Sequence, residues 1–235
     1  MRDEYFTKDT IGVRSRLISR KLETVPDQFV PLFPTTLMKR RLLGMAEHNA
    51  ALAAITRALE GQRNASVGTS TKGGFQTGED LLSSEHAQAR HPSLLALKHH
   101  IGEAVQEYSG LLIRQECALS PNRINFALWG WGVILREGNW QAHHVHPNAH
   151  ISGVYYIAAP PATLEAGRED GKISFSDPRP RANMSQLVTQ KTRHAEAPVP
   201  GDMVIFPSWL EHSVAPFQGE GERICIAFNA RLEMA

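Results

Sequence analysis

From Asn122 onward the chain is a succession of short apolar segments separated by turn residues, and this restricts the fold more than any other feature. Ile124–Leu135 alternates and is rich in Trp and Phe. Ile151–Ala158, Lys172–Ser176, Met203–Phe206 and Arg223–Asn229 follow, divided by clusters of Pro, Gly and Asp. Side chains on a strand alternate between faces, so such runs bury one or both faces of a sheet. No helical periodicity intervenes, which predicts antiparallel pairing in a sandwich or barrel.

The upstream half reads differently. Thr36–Leu59 places Leu37, Leu42, Leu43, Leu52, Ile55 and Leu59 at roughly helical spacing. A second helix is expected over Ser93–Ser109, started by Pro92 or Ser93 and ending before Gly110. Between them the polar stretch Gly61–Asp80 reads as loop, with Gly73-Gly74 as a turn; it lacks the GxxxxGK[ST] order of a phosphate-cradling loop. Pro161–Asp170 and Pro178–Pro200 are polar connections of the kind that form lids or recognition walls.

Composition narrows the function classes. The formal charge is +1, so nothing favours nucleic acid or an anionic membrane as partner. Two cysteines, Cys117 and Cys225, build neither a disulfide framework nor a Cys-rich zinc site. The first twenty residues mix both charge signs and carry no signal-like apolar run, and no stretch of about eighteen apolar residues exists to span a membrane. These features predict a cytoplasmic protein.

Histidine is the surplus residue, at 11, and four of these fall within His143–His150, directly before the strand at Ile151. On an extended chain residues i and i+2 share a face, so His144 and His146 can offer two imidazoles to one metal. His146 and Asn148 could do likewise, although Pro147 suits a strand poorly. A third imidazole, His212, follows the strand Met203–Phe206. Two ligands from one strand end and one from a distant strand leave half an octahedron open for substrate or dioxygen. The bland reading is an exposed polar cluster, and imidazole alone does not choose between Zn, Cu, Fe and Ni.

Four blocks occur in order: His144-x-His146; Ser152-Gly-Val-Tyr-Tyr-Ile157; Gly201–Val214, with Pro207-Ser208-Trp209 and His212; and Glu222-Arg223 through Asn229. Together they resemble the Fe(II)- and 2-oxoglutarate-dependent oxygenases of the prolyl-hydroxylase-like, jelly-roll superfamily, and within it a subfamily of uncharacterised bacterial and phage proteins. The resemblance covers about Asn125–Asn229, and Gly73–Thr77 looks like a further short block. It implies a mainly β fold with flanking helices: a double-stranded β-helix (jelly roll or cupin-like) core with an N-terminal helical segment packed on it. One domain would span 1–235, with 1–120 as helical and loop support and 121–235 as core.

The resemblance also implies roles. His212 falls on the distal metal ligand, and Arg223 on the arginine that grips the far carboxylate of 2-oxoglutarate. A forked guanidinium suits that task. Tyr156 falls on a tyrosine that hydrogen-bonds the same carboxylate, while Tyr155 points the other way. Arg223, Cys225, Ala227 and Asn229 share one face of their strand, and Asn229 is counted with Arg223 and Tyr156 as cofactor-binding. The plain alternative for Arg223 is a surface residue pairing with Glu220 or Glu222. Trp131 and Trp209 are expected to pack or to wall the pocket.

One departure matters. The superfamily pattern is His-x-Asp/Glu…His, but His146 stands where the carboxylate should be. Either His144, His146 and His212 hold the iron as three neutral ligands, or His146 leads and Asn148 is a weak oxygen donor. The first is favoured because imidazole is the better ligand. A missing carboxylate leaves room for a halide in related halogenases, but a bulky imidazole fills that place. His143 and His150 are expected outside the first ligand set. The implied activity is hydroxylation of a small-molecule or peptide substrate with release of succinate and CO2, with homodimerisation left open. Two other classes compete: a cupin-like isomerase or hydrolase using the same histidines, with no role for Arg223, and a non-enzymatic β-sandwich binding module.

Overall fold

The computed structural model describes residues 32–62, 69–117, 123–165, 167–180, 184 and 191–233. The chain divides into two compact units, Met1–Pro34 and Thr35–Ala235. The first lies outside the described residues except for its last three, as do 63–68 of the Gly-rich loop and much of 181–190. The second unit carries every helix and strand among the described residues.

Its strands are β1 (Met38–Arg41), β2 (Thr71–Lys72), β3 (Phe75–Gln76), β4 (Asn125–Leu135), β5 (Trp140–His144), β6 (Ile151–Ala158), β7 (Ile173–Ser176), β8 (Arg193–Glu196), β9 (Asp202–Pro207), β10 (His212–Val214) and β11 (Arg223–Glu233). They form two sheets, ordered β1-β9-β6-β11-β4-β3 and β2-β5-β10-β7-β8. Every strand pair is antiparallel. The result is the two-sheet jelly roll expected, with helices on one outer face.

Strand alternation builds both layers of the core. On the larger sheet Tyr155, Ile157, Ile224, Ile226 and Phe228 face one way and join Leu52, Leu97, Ile101 and Tyr108 from the helices. Val133, Val154, Tyr156, Phe206 and Cys225 face the other way and meet Ile173, Phe175 and Val214 of the second sheet. The inner layer is where a ligand can sit between sheets.

The helices depart from the sequence expectation at their ends. The first, α1, runs Ala46–Gln62, and residues 38–41 of the expected helix are instead the edge strand β1, paired with β9. Lys39 reaches Glu196, and Arg41 reaches Asp202, so tertiary ion pairs hold a charged segment extended. Gly44, at φ 74°, makes the turn into α1. The second, α2, runs Pro92–Cys117, straight through Gly110. Pro92 occupies the first turn, and His91 Nδ1 accepts the Ser93 amide at 3.2 Å. Leu111 and Leu112 continue the apolar face, and an interior glycine costs only about 1 kcal/mol, too little to stop a packed helix.

The Gly73-Gly74 turn is present and carries the chain from one sheet to the other, since β2 and β3 belong to different sheets. Gly73 has φ 77°, and a side chain on Gly74 would meet the Ile134 carbonyl at 2.6 Å. The Pro178–Pro200 connection contains β8, which pairs with β7. No helix among the described residues is long and apolar enough to cross a membrane.

Candidate metal centre

Two of the three histidines are brought together by strand register alone. His144 on β5 lies directly opposite His212 on the neighbouring β10. His146 follows the end of β5, where its backbone N–H donates to the Ser208 carbonyl at 3.0 Å. The ring centroids are 4.2 Å apart for His144–His212, 5.1 Å for His144–His146 and 5.2 Å for His146–His212. One ring nitrogen from each lies within 4.8 Å of the others, a cluster able to hold a metal ion.

The outward-facing nitrogens fix how two of the rings are protonated. His144 Nδ1 donates to the Ala142 carbonyl at 2.7 Å, and His212 Nδ1 to the Leu210 carbonyl at 2.8 Å. A carbonyl only accepts, so Nδ1 carries the proton and Nε2 keeps its lone pair for a metal. His146 Nδ1 lies 3.4 Å from the Asn229 side-chain nitrogen, while Ser152 Oγ donates to Asn229 Oδ1 at 2.7 Å. A half-turn of that amide sets its oxygen against Nδ1–H and its nitrogen against Ser152, and so frees Nε2 of His146 as well.

Burial, joined by repulsion from His144, pushes His146 down to about 4 and His212 to about 3. His144 is lowered too, chiefly by burial. At neutral pH all three are uncharged, as a divalent metal requires of its imidazoles. Asn148 is exposed and lines an outer cavity of about 610 Å³, with Trp129 and His146. His143 and His150 are exposed; His143 Nε2 lies 3.3 Å from Ser213 Oγ, and His150 Nδ1 accepts the Leu232 amide.

Arg223 lies at the far end of the same inner face. It is 1% exposed, its Nε donates to the Gly171 carbonyl at 2.9 Å, and its Nη1 lies 3.4 Å from Cys225 Sγ. It does not pair with Glu222, which Arg57 and Arg136 take up instead. Among the described residues no carboxylate forms an ion pair with it, so the site holds a buried cation without an anion. The guanidinium carbon sits 5.1 Å from the Tyr156 ring centroid, and the buried Tyr156 hydroxyl has no hydrogen-bond partner among the described residues. Burial raises that phenol, with Arg223 opposing, and burial likewise raises the Cys225 thiol. Tyr155 faces away and donates to Asn49 Oδ1 at 2.7 Å.

Arg223, Cys225 and the three histidines line one cavity of about 280 Å³. Trp131 walls it, 5.6 Å from His146 between ring centroids, whereas Trp209 is 55% exposed and packs into no core. Sequence reasoning left out Gln76 and Gln141 on the cavity wall, and Thr71 hydrogen-bonded between them. Only Gln76 had a signal, within the short block Gly73–Thr77.

The donors fit the groups that the resemblance implies. Three neutral imidazoles suit Fe(II), and the unpaired guanidinium beside an orphaned phenol suits a carboxylate.

Comparison with known proteins agrees. Residues 130–229 match a family described as "Putative 2OG-Fe(II) oxygenase". A comparison with curated protein sequences finds no significant match. Among solved structures, a prolyl-4-hydroxylase from Pseudomonas putida is similar at 17% identity and TM-score 0.51, over 84% of this chain and 92% of that one. A viral collagen prolyl hydroxylase from Paramecium Bursaria Chlorella virus-1, solved with 2-oxoglutarate, gives 14%, 0.52, 84% and 96%. HygX from Streptomyces hygroscopicus, solved with nickel, 2-oxoglutarate and hygromycin B, gives 14%, 0.51, 84% and 83%. These likenesses establish the jelly-roll fold. The family match spans the stretch that carries all three histidines and Arg223.

Proposed function

We propose that the chain is a 2-oxoglutarate- and Fe(II)-dependent oxygenase that hydroxylates a C–H bond of a small-molecule or peptide substrate, with release of succinate and CO2. His144, His146 and His212 would hold the iron, and Arg223 with Tyr156 would hold the far carboxylate of 2-oxoglutarate. The observation that carries this reading is the buried Arg223 without an ion pair, beside a partnerless phenol, in the cavity the three imidazoles share. A buried, uncompensated cation is costly, and a bound dicarboxylate removes the cost.

When bound, iron and co-substrate supply the oxidising chemistry, coupling oxidative decarboxylation to oxygen insertion. The chain's own part is to bind, orient and shield. The Nδ1–H donors of His144 and His212 hold their rings in place and leave each Nε2 its lone pair. Phe206 and Phe175 pack around His212 and keep water from that ligand. The outer cavity, which shares His146 with the inner one, is the approach left for substrate. A cupin-like isomerase or hydrolase has no use for a buried, unpaired arginine, and a plain binding module has no use for three converging imidazoles.

The test is optical. Anaerobic protein with Fe(II) and 2-oxoglutarate should develop a weak visible metal-to-ligand charge-transfer band. Protein that binds the metal without the band sinks the oxygenase reading. An Arg223→Ala variant with an unweakened band removes the arginine's role, and a His212→Ala variant with full metal occupancy removes the ligand set.

A further inference from the structure

The register of β5 against β10 is irregular: His144 faces His212, yet Gln141 faces Val214. Two residues on β5, Ala142 and His143, therefore oppose one on β10, Ser213, which is a β-bulge, a device that re-aims side chains beside active sites. Without it Gln141, an odd number of residues from His144, would face away from the cavity. With it, Gln141 lines the cavity that His144 and His212 also line.

Gln141 does not stand alone there. Its Nε2 donates to Thr71 Oγ1 at 3.2 Å, and Thr71 Oγ1 donates to Gln76 Oε1 at 3.0 Å. Thr71 is 8% exposed and Gln76 7%. The three come from β5, β2 and β3, so the chain of hydrogen bonds crosses from one sheet to the other where Gly73-Gly74 joins them. Amides are costly to bury in an otherwise apolar sandwich, and structural satisfaction alone would not require a bulge that turns one of them inward.

Register also places this group relative to the other polar groups. On the larger sheet Gln76 is level with Val133, Val133 with Cys225, and Cys225 with Tyr156. Arg223 meets Gly171 and the Tyr156 ring, on the β6 and β7 side. The amides lie on the β2, β3 and β5 side, with Gln141 one inward position along β5 from the His144–His212 pair. The cavity thus has a cationic wall at Arg223 and a neutral amide wall on the side of β2, β3 and β5.

We infer that Gln76 and Gln141 bind the keto-acid end of the co-substrate, donating hydrogen bonds to the carboxylate that chelates the metal, and that Thr71 is the positioning residue that aligns them. This rests on the oxygenase reading above. Arg223 then fixes one end of a dicarboxylate and the glutamines the other, which sets its orientation at the metal. Neutral amides do this without adding a second cation beside a centre that already lacks its customary carboxylate.

Binding to the anaerobic Mn(II)-loaded protein tests this with two ligands, titrated calorimetrically: 2-oxoglutarate, and oxalate, which keeps the chelating carboxylate and lacks the distal one. Gln76→Leu and Gln141→Leu should each weaken both ligands about tenfold or more, the worth of a hydrogen bond to a charged group. Arg223→Ala should weaken 2-oxoglutarate alone. Thr71→Val should shift the Fe(II)–2-oxoglutarate charge-transfer band, and Thr71→Ser should restore it. If a leucine variant fails to fold, the isosteric Gln76→Glu and Gln141→Glu replace it, and their added negative charge should weaken both ligands further. Glutamine variants that bind both ligands as wild type does overturn this inference and leave the oxygenase reading standing. Wild-type protein that binds the metal but neither ligand overturns both.

Discussion

Replacing Arg223 with methionine should move stability and co-substrate binding in opposite directions. The guanidinium is 1% exposed and meets one carbonyl oxygen, one thiol and one aromatic ring. Burying a cation without an anion costs several kcal/mol. Against that, the variant gives up a hydrogen bond to the Gly171 carbonyl, worth about 1–3 kcal/mol, and a ring contact worth about 0.5–2 kcal/mol. The unbranched thioether fills most of the vacated volume. The balance runs from neutral to about 2 kcal/mol in favour of the variant, which in a domain of this size raises Tm by up to about 8 °C. The wild type should instead gain about 2.7 kcal/mol from 2-oxoglutarate at a hundred times its Kd, a rise of about 5–10 °C. Thermal unfolding of the anaerobic Mn(II)-loaded proteins, with and without 2-oxoglutarate, reads both effects. An Arg223→Met protein that melts more than about 4 °C lower without ligand, or that keeps the ligand-induced rise, would refute the reasoning.

The adjacent tyrosines should separate cleanly. Tyr156→Phe removes a hydroxyl with no partner, so Tm without ligand should hold or rise while 2-oxoglutarate binds about tenfold more weakly, as titration would show. Tyr155→Phe loses the bond to Asn49 and should cost about 1 kcal/mol in chemical denaturation with co-substrate affinity unchanged. Gly153→Ala would set a methyl 2.3 Å from Phe228 Cζ, so overpacking should cost about 1–3 kcal/mol, partly relieved by adding Phe228→Leu. Asn229→Leu should lower metal affinity roughly tenfold in competition with a chelator, by leaving His146 Nδ1 without its partner.

Much of the core could be read from alternation. Ile151–Ala158 is β6 residue for residue, and the two faces of Arg223–Asn229 divide between the helix-side core and the cavity as their parity requires. What could not be read was held by partners distant in sequence. Met38–Arg41 is extended only because β9 and two ion pairs hold it there, and its flanking leucines mimic a helix. The bulge in β5 breaks the period of two, so Trp140–His144 shows no strand pattern and Gln141 no link to His144. The histidine spacing was legible because i and i+2 need no partner. The His144–His212 match needed the register of two strands that sequence does not pair.

The inner row of β11 carries consequences of another kind. Arg223, Cys225, Ala227 and Asn229 occupy successive inward positions on one strand that is paired on both sides, with β4 and β6. An individual substitution along this row changes only the contacts of its own side chain. Deleting or inserting a single residue at its start exchanges the two faces together, sending Ile224, Ile226 and Phe228 toward the metal and driving a guanidinium and an amide into the helix-side core. A one-residue indel within this strand should therefore behave as a null allele, whereas a conservative apolar exchange at Ile224 or Ile226 should be tolerated.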